Sequence, residues 1–167
     1  MKKIYPMCLL LAMVIPVYPA EPALSSVDSS EMSSTNSQAD IPTGPNVFGV
    51  FWGRTPCHGI AREMNLTVSD ECIKRKWKVV FYQDPVTHAP TTYSLFGSGY
   101  RAVPRTGKWA MVKGSGTDPA ATVYQLDKDF LSFLKLDDNV LLFLGQDGKP
   151  LVGNIYFSYA LNRATKK

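Results

Sequence analysis

Short runs of alternating apolar and polar residues, separated by turn residues, constrain the fold of this chain more than any other feature. The clearest run is residues 73–82, where Ile73, Trp77 and Phe81 alternate with lysine, valine and tyrosine side chains. A period of two is typical of a β-strand that turns one face toward a core, because successive side chains point to opposite faces of a sheet. Residues 60–68 show the same alternation and are therefore predicted to form another strand.

Further runs of this kind predict that the folded part of the chain is all-β. Glycine, proline and aspartate clusters separate the runs at the spacing expected of an antiparallel barrel or sandwich. Closure removes the exposed edges of a flat sheet, so we predict a small antiparallel β-barrel of about eight strands. The other predicted strands cover residues 47–52, 91–96, 108–112, 121–126, 130–136, 140–144 and 155–161. The residues expected to be buried include Val50, Trp52, Leu66, Trp77, Val79, Trp109, Tyr124, Leu142 and Phe157.

Two N-terminal segments differ in composition from the rest of the chain. Residues 1–25 begin with two lysines near the start and continue into an apolar run too short to span a bilayer, the pattern of a secretory signal peptide. Residues 26–45 are rich in Ser, Asp, Asn and Pro and are predicted to be a disordered tether before a barrel domain at residues 46–167. Cys8 has too little apolar sequence before it to be lipid-modified. We expect an exported protein, periplasmic or secreted, with no lipid anchor and no transmembrane segment in the mature chain.

Basic residues are concentrated in one predicted strand. The chain has a net charge of +4, and residues 46–167 hold 16 basic and 10 acidic side chains. Lys74, Lys76 and Lys78 share one face of the strand predicted over residues 73–82. Such a cluster is either a solvated strand face or a contact surface for an anionic partner, such as a phospholipid headgroup or an acidic polymer. No nucleic-acid motif accompanies the charge, so nucleic acid is not an expected partner.

The loop after the first predicted strand brings a thiol and an imidazole side by side. Cys57 and His58 are adjacent on a turn that is bounded by proline and glycine. Thiolate and imidazole are suitable ligands for Cu(I) and other soft ions, which makes Cys57 and His58 candidate metal ligands. Met64 and Cys72 are the candidates for a third ligand.

Cys57 and Cys72 are also candidates for a disulfide bond, which export would permit. An extended strand over residues 60–69 would span roughly 33 Å. A disulfide needs Cα atoms within about 7 Å of each other, so the predicted strand argues against the bond. A bent or irregular segment near residues 62–65 would allow it. Both alternatives stay open from the sequence.

The two histidines form no recognisable catalytic arrangement. Neither His58 nor His88 has a serine or an acid at a known catalytic spacing. Adjacent residues such as Cys57 and His58 rarely reach the geometry of a nucleophile and its base. The aspartates fall at predicted turns, where they are expected for backbone reasons. We therefore expect a protein without enzymatic activity.

Several short motifs occur in the order and approximate spacing of a known family. They are GVFWGRTPCHGI at residues 49–60, GKW at 107–109, VYQL at 123–126, QDG at 146–148 and YALNR at 159–163. In these motifs the chain resembles the N-terminal domain of the copper-resistance and envelope-stress lipoprotein NlpE. The resemblance implies a lipocalin-like β-barrel in the bacterial envelope, with a role in copper handling or in sensing envelope stress.

Two features of this chain differ from the resembled family. The family has Pro-Cys-x-x-Cys before its Gly-Ile pair, whereas this loop is shorter and has Cys57 with His58 beside it. A lipid anchor like that of the family is also not expected, because Cys8 lies in no lipobox. Three hypotheses follow: an envelope protein that binds copper or senses stress, a lipocalin-like binder of a small apolar ligand or lipid, and a module that binds a partner through the basic strand face.

Overall fold

The computed structural model describes residues 41–97, 103–116, 118–128 and 131–165. The predicted signal peptide and most of the predicted tether lie outside these residues. Within the described ranges, no helix has the length and apolar character needed to cross a membrane. In chain order the elements are β1 (Val47–Pro56), α1 (Cys57–Glu63), β2 (Lys74–Gln83), β3 (Pro90–Gly97), β4 (Arg105–Ser115), β5 (Asp118–Leu126), β6 (Ser132–Lys135), β7 (Val140–Leu144) and β8 (Ala160–Arg163).

Eight antiparallel strands close into one barrel, which confirms the fold class predicted from the alternation. Each strand pairs with the next along the chain, and β8 returns to pair with β1. This β1–β8 seam has two register pairs, Phe51 with Arg163 and Trp52 with Asn162. The strand predicted over residues 140–144 coincides with β7, and β2 lies within one residue of its prediction at both ends.

Aromatic side chains pack against one another in the barrel core. Phe81 has the ring centroids of Phe51, Trp109, Tyr124 and Phe133 between 4.6 and 6.1 Å from its own. Three of these four pairs are edge-on, an arrangement that aromatic rings prefer because a positive ring edge then meets a negative ring face. An eight-stranded barrel is narrow enough for its own side chains to fill it.

The nine residues predicted to be buried fall into three groups. Five are buried, namely Val50, Trp77, Val79, Trp109 and Tyr124. Three are only partly buried, namely Trp52, Leu142 and Phe157. The prediction for Leu66 is wrong, because the strand that would have turned it inward does not form and its side chain is exposed.

A second, smaller apolar cluster lies on the outer face of β1 and β2. Val50 and Val80 belong to it, together with Ile41 and Ala164, and all four side chains are buried. The Ala164 N–H also donates a hydrogen bond to the Val50 carbonyl at 2.8 Å. Ile41 falls within the tether predicted over residues 26–45, so this part of the segment packs on the barrel.

The strand predicted over residues 60–68 is wrong, because this segment begins in α1. Cys57, Ile60 and Ala61 are the buried residues of α1, and their spacing of three and four places them on one face of a helix. Asn65 follows with a φ of 55°, a left-handed conformation that a right-handed helix cannot continue through. The alternating residues 60–68 therefore do not form a β-strand.

The strand predicted over residues 155–161 is correct only for its last two residues, since β8 begins at Ala160. Ile155 and Tyr156 are 88% and 75% exposed. The side-chain oxygen of Asn154 accepts hydrogen bonds from the backbone N–H groups two and three residues later, both at 2.9 Å. Such a turn gives these backbone N–H groups a local hydrogen-bond partner, so they do not pair with a neighbouring strand.

Candidate functional site

A disulfide bond joins Cys57 to Cys72, which are 15 positions apart in the sequence and have their Cα atoms 5.8 Å apart. The extended strand that argued against this bond is absent. An α-helix rises about 1.5 Å per residue, less than half the rise of a strand, so α1 keeps the chain near its starting point. The chain then turns back at Ser69, whose carbonyl accepts the Cys72 N–H at 2.9 Å. Of the two alternatives that the sequence left open, the structure shows the disulfide.

Tyr159 fixes the first turn of α1. Its phenol oxygen accepts hydrogen bonds from the backbone N–H groups of Gly59 and Ile60. A Cβ at Gly59 would lie 1.9 Å from this oxygen, so a larger residue there would displace the tyrosine. Burial raises the pKa of Tyr159, and the two N–H donors oppose the rise.

The other end of α1 is attached to the turn after β7. The Gln146 backbone N–H donates to the Glu63 carboxylate at 2.9 Å, and the Gln146 side-chain amide donates to the Glu63 carbonyl at 3.0 Å. Ile60 lies between the two attachments and belongs to the barrel core. The helix is thus held by the disulfide and Tyr159 at its start, by Ile60 in its middle and by Gln146 at its end.

The structure places the two predicted metal ligands on different sides of α1. Cys57 is 1% exposed, whereas the His58 side chain is exposed to solvent. Successive helical residues point about 100° apart, because an α-helix has 3.6 residues per turn. The Cys57 sulfur is also bonded to Cys72, so it offers no thiolate in this oxidised state.

The described part of the chain contains no group of three or more His, Cys, Asp or Glu side chains placed to hold a metal ion. Met64, one sequence candidate for a third ligand, packs against the barrel core. The donors present fit Cu(I) only when the disulfide is reduced, because two sulfurs then become available. Metal binding by Cys57 and His58 therefore stays a prediction for the reduced chain.

Side chains of the described barrel core contact one another closely. The Phe143 ring centroid lies 5.6 Å from that of Trp77 and 4.9 Å from that of Phe133. The Trp77 indole N–H also donates to the Thr55 hydroxyl at 2.9 Å, which satisfies a buried polar pair. These contacts connect β1, β2, β6 and β7 through the barrel core.

Sequence reasoning missed Tyr159 and Gln146 as partners of α1. Tyr159 lies in the strand predicted over residues 155–161, and Gln146 is singled out only as part of the QDG motif at residues 146–148. The available signal was Gly59, because a glycine inside a short helix indicates that another group approaches its backbone closely. The sequence does not identify that group, since it lies 100 positions further along the chain.

Comparison of the chain with protein-family models, with curated proteins and with solved structures finds no match. The resemblance to NlpE therefore stays a prediction that rests on the short motifs of the sequence. The structure confirms the antiparallel eight-stranded barrel from its own strand pairing.

Proposed function

We propose that this protein is an exported, non-enzymatic barrel of the bacterial envelope that responds to copper or to thiol-active stress through Cys57 and Cys72. The observation that carries the proposal is the disulfide that ties the start of α1 to the residues just before β2. The resembled NlpE family has a Pro-Cys-x-x-Cys pair in the loop where this chain has Cys57, whereas Cys72 lies 15 positions later. The bond gives the chain two covalent states that differ in how firmly α1 is held.

An external thiol would reach the pair through the more exposed sulfur. Cys57 is 1% exposed, whereas Cys72 is partly exposed. Attack of an external thiolate on the Cys72 sulfur forms a mixed disulfide and releases Cys57 as a thiolate. A second external thiolate then attacks the mixed disulfide, forms the external disulfide and releases the Cys72 thiolate. Two electrons have then passed to the protein, and an oxidised partner reverses both steps.

Reduction also creates the donor set that copper requires. Cu(I) is a soft ion that prefers thiolate ligands, and the reduced chain offers two of them at Cys57 and Cys72. His58 adds an imidazole at the next position along α1. Protons compete for sulfur and imidazole, so the affinity for Cu(I) should fall as the pH is lowered.

The test is a measurement of Cu(I) affinity by competition with a chromophoric chelator, under anaerobic conditions and with the protein fully reduced. We expect Cys57→Ser and Cys72→Ser each to remove most of the affinity, and His58→Ala to remove part of it. His88→Ala is the matched control, because this second histidine lies in the turn between β2 and β3.

The oxidised wild type provides the second comparison and should not compete with the chelator. Equal affinity in the reduced wild type and in Cys57→Ser would rule out the copper site. A disulfide that common cellular thiols do not reduce at equilibrium would rule out the response to thiol-active stress.

A further inference from the structure

The outward side chains of β1, β2 and β3 form successive rows across the sheet. In one row Trp52 lies opposite Lys78, and Lys78 lies opposite Phe96 on the next strand. The Lys78 ammonium nitrogen is 4.6 Å from the centre of the Phe96 ring, within the range of a cation–π contact. This row therefore consists of one cation with an aromatic side chain on each side.

In the next two rows, β1 and β2 contribute cations and no acid. Arg54 lies directly opposite Lys76, and the following pair places Pro56 opposite Lys74. Like charges in register across two strands destabilise a sheet. Arg54, Lys74 and Lys76 are exposed, and within the described ranges no salt bridge joins any of them to a carboxylate. Lys74 lies 5.9 Å from the centre of the Phe157 ring, but no carboxylate of the described residues offsets the repulsion between Arg54 and Lys76. These charges are therefore available to an anionic partner outside the chain.

The three lysines of β2 form a stripe, because outward positions recur every second residue, or about every 6.7 Å. A shallow pocket of about 270 Å³ lies beside this stripe. It is lined by Trp52, Gly53, Arg54, Lys76 and Trp77. The pocket has room for a phosphate group, and arginine binds phosphate oxygens in pairs through its planar guanidinium.

The aromatic members of this face are supported by the outer apolar cluster. Trp52 and Phe96 pack against the cluster of Ile41, Val50 and Val80 and keep part of their surface exposed. Aromatic side chains that contact apolar groups on one side and solvent on the other are enriched at the membrane–water interface. A soluble polyanion would be attracted by the same positive charge, but the exposed aromatic surface would stabilise its binding less than it stabilises binding to a membrane.

We propose that this outer face docks on a membrane surface that carries anionic phospholipids. The cations bind the phosphate headgroups, and the aromatic side chains enter the headgroup layer. The proposal is independent of the copper and redox role of Cys57 and Cys72. The residues of the face are Trp52, Arg54, Lys74, Lys76, Lys78 and Phe96.

The test measures partition of the oxidised protein onto vesicles by sedimentation. Vesicles of phosphatidylcholine alone are compared with vesicles that contain phosphatidylglycerol. We expect binding to the anionic vesicles only, and loss of that binding at high salt, because salt screens exposed charges. Lys74→Gln with Lys76→Gln should weaken the partition on the order of 30-fold, since each basic residue near an anionic surface contributes roughly a fivefold factor.

Lys108→Gln with Lys113→Gln is the matched control. Both lysines are exposed on β4, so this pair removes the same charge from another part of the barrel. Thermal denaturation of each double variant shows whether it remains folded. Equal loss of binding in the two double variants would overturn the proposal in favour of a general charge effect.

Trp52 supplies a direct readout of the docking geometry. The chain has three tryptophans, and Trp77 and Trp109 are only 2% and 4% exposed, which leaves Trp52 as the one near solvent. A quencher attached to the lipid should reduce Trp52 emission, and Trp52→Phe should abolish that loss of emission. The proposal is overturned if anionic vesicles do not bind. It is also overturned if a soluble polyanion such as polyglutamate binds equally well and lipid-borne quenchers leave the emission unchanged.

Discussion

Reducing the Cys57–Cys72 disulfide should lower the free energy of unfolding by about 3 kcal/mol, because the bond restricts the unfolded chain. The estimate follows from the sequence separation of 15, which sets the loop-closure entropy that the bond removes. The entropy of unfolding scales with chain length, so for a barrel of about 125 residues the loss corresponds to a melting temperature lower by roughly 10 °C. Thermal and urea denaturation with and without reductant, followed by far-UV circular dichroism, measure both quantities.

The control for this prediction is the double variant Cys57→Ala with Cys72→Ala. It should melt near the temperature of the reduced wild type, and reductant should not change its midpoint. A loss below about 1 kcal/mol in both the reduced wild type and the double variant would refute the loop-closure reasoning. It would mean that the unfolded chain gains little freedom when the bond is broken.

Three further predictions follow from contacts elsewhere in the barrel. Trp77→Phe should lower the free energy of unfolding by about 1–3 kcal/mol, because it leaves the buried Thr55 hydroxyl without its indole donor. Adding Thr55→Val to this variant should recover part of the lost stability in urea denaturation. Ile41→Ala should lower the free energy of unfolding by about 2 kcal/mol, whereas deletion of residues 26–40 should leave the urea midpoint unchanged. Burial raises the pKa of Tyr159 above its usual value of 10.0, so the phenol loses its proton at a lower pH in the unfolded chain than in the folded chain. The contribution of Tyr159 to the free energy of unfolding is therefore fully present below pH 10 and is lost as the pH rises through the higher pKa of the folded chain. Between pH 9 and pH 11 the Tyr159→Phe variant should lose less stability than the wild type.

The strands were predictable where one face is clearly apolar. Residues 73–82 alternate over five repeats, and a shift of one residue would turn Trp77 and Phe81 out of the core. That constraint is why β2 and its prediction agree within one residue. The same pattern also placed the lysines of β2 together on one face, which is half of the proposed docking surface.

The helix was not predictable from the pattern, because residues 57–63 satisfy two periods at once. Ile60, Met64 and Leu66 fit one face of an alternating strand, which Arg62 interrupts. Cys57, Ile60 and Ala61 fit one helical face. A helix of seven residues is too short to be stable alone, so contacts distant in sequence select it. These contacts are the disulfide, Tyr159 and Gln146. The missed helix is also the reason that the disulfide stayed an open alternative.

The pairing of residues on neighbouring strands was also not predictable from the sequence. Arg54 and Lys76 lie 22 positions apart, and only the β1–β2 pairing shows that they face each other. A single sequence gives the face of each residue but not its neighbour on the next strand. The like-charge pair on which the docking proposal depends was therefore visible only in the folded chain.

The narrow β1–β8 seam has a consequence for how the barrel folds. Arg163 reaches across it to the Phe48 carbonyl at 3.1 Å, a contact between residues 115 positions apart. Loop closure over such a distance is slow compared with the pairing of neighbouring strands, so the seam is expected to close late. Until it closes, β1 and β8 each present an unpaired edge that another chain can extend into an intermolecular sheet. The last hydrogen bonds to form are then the ones that keep the protein from aggregating.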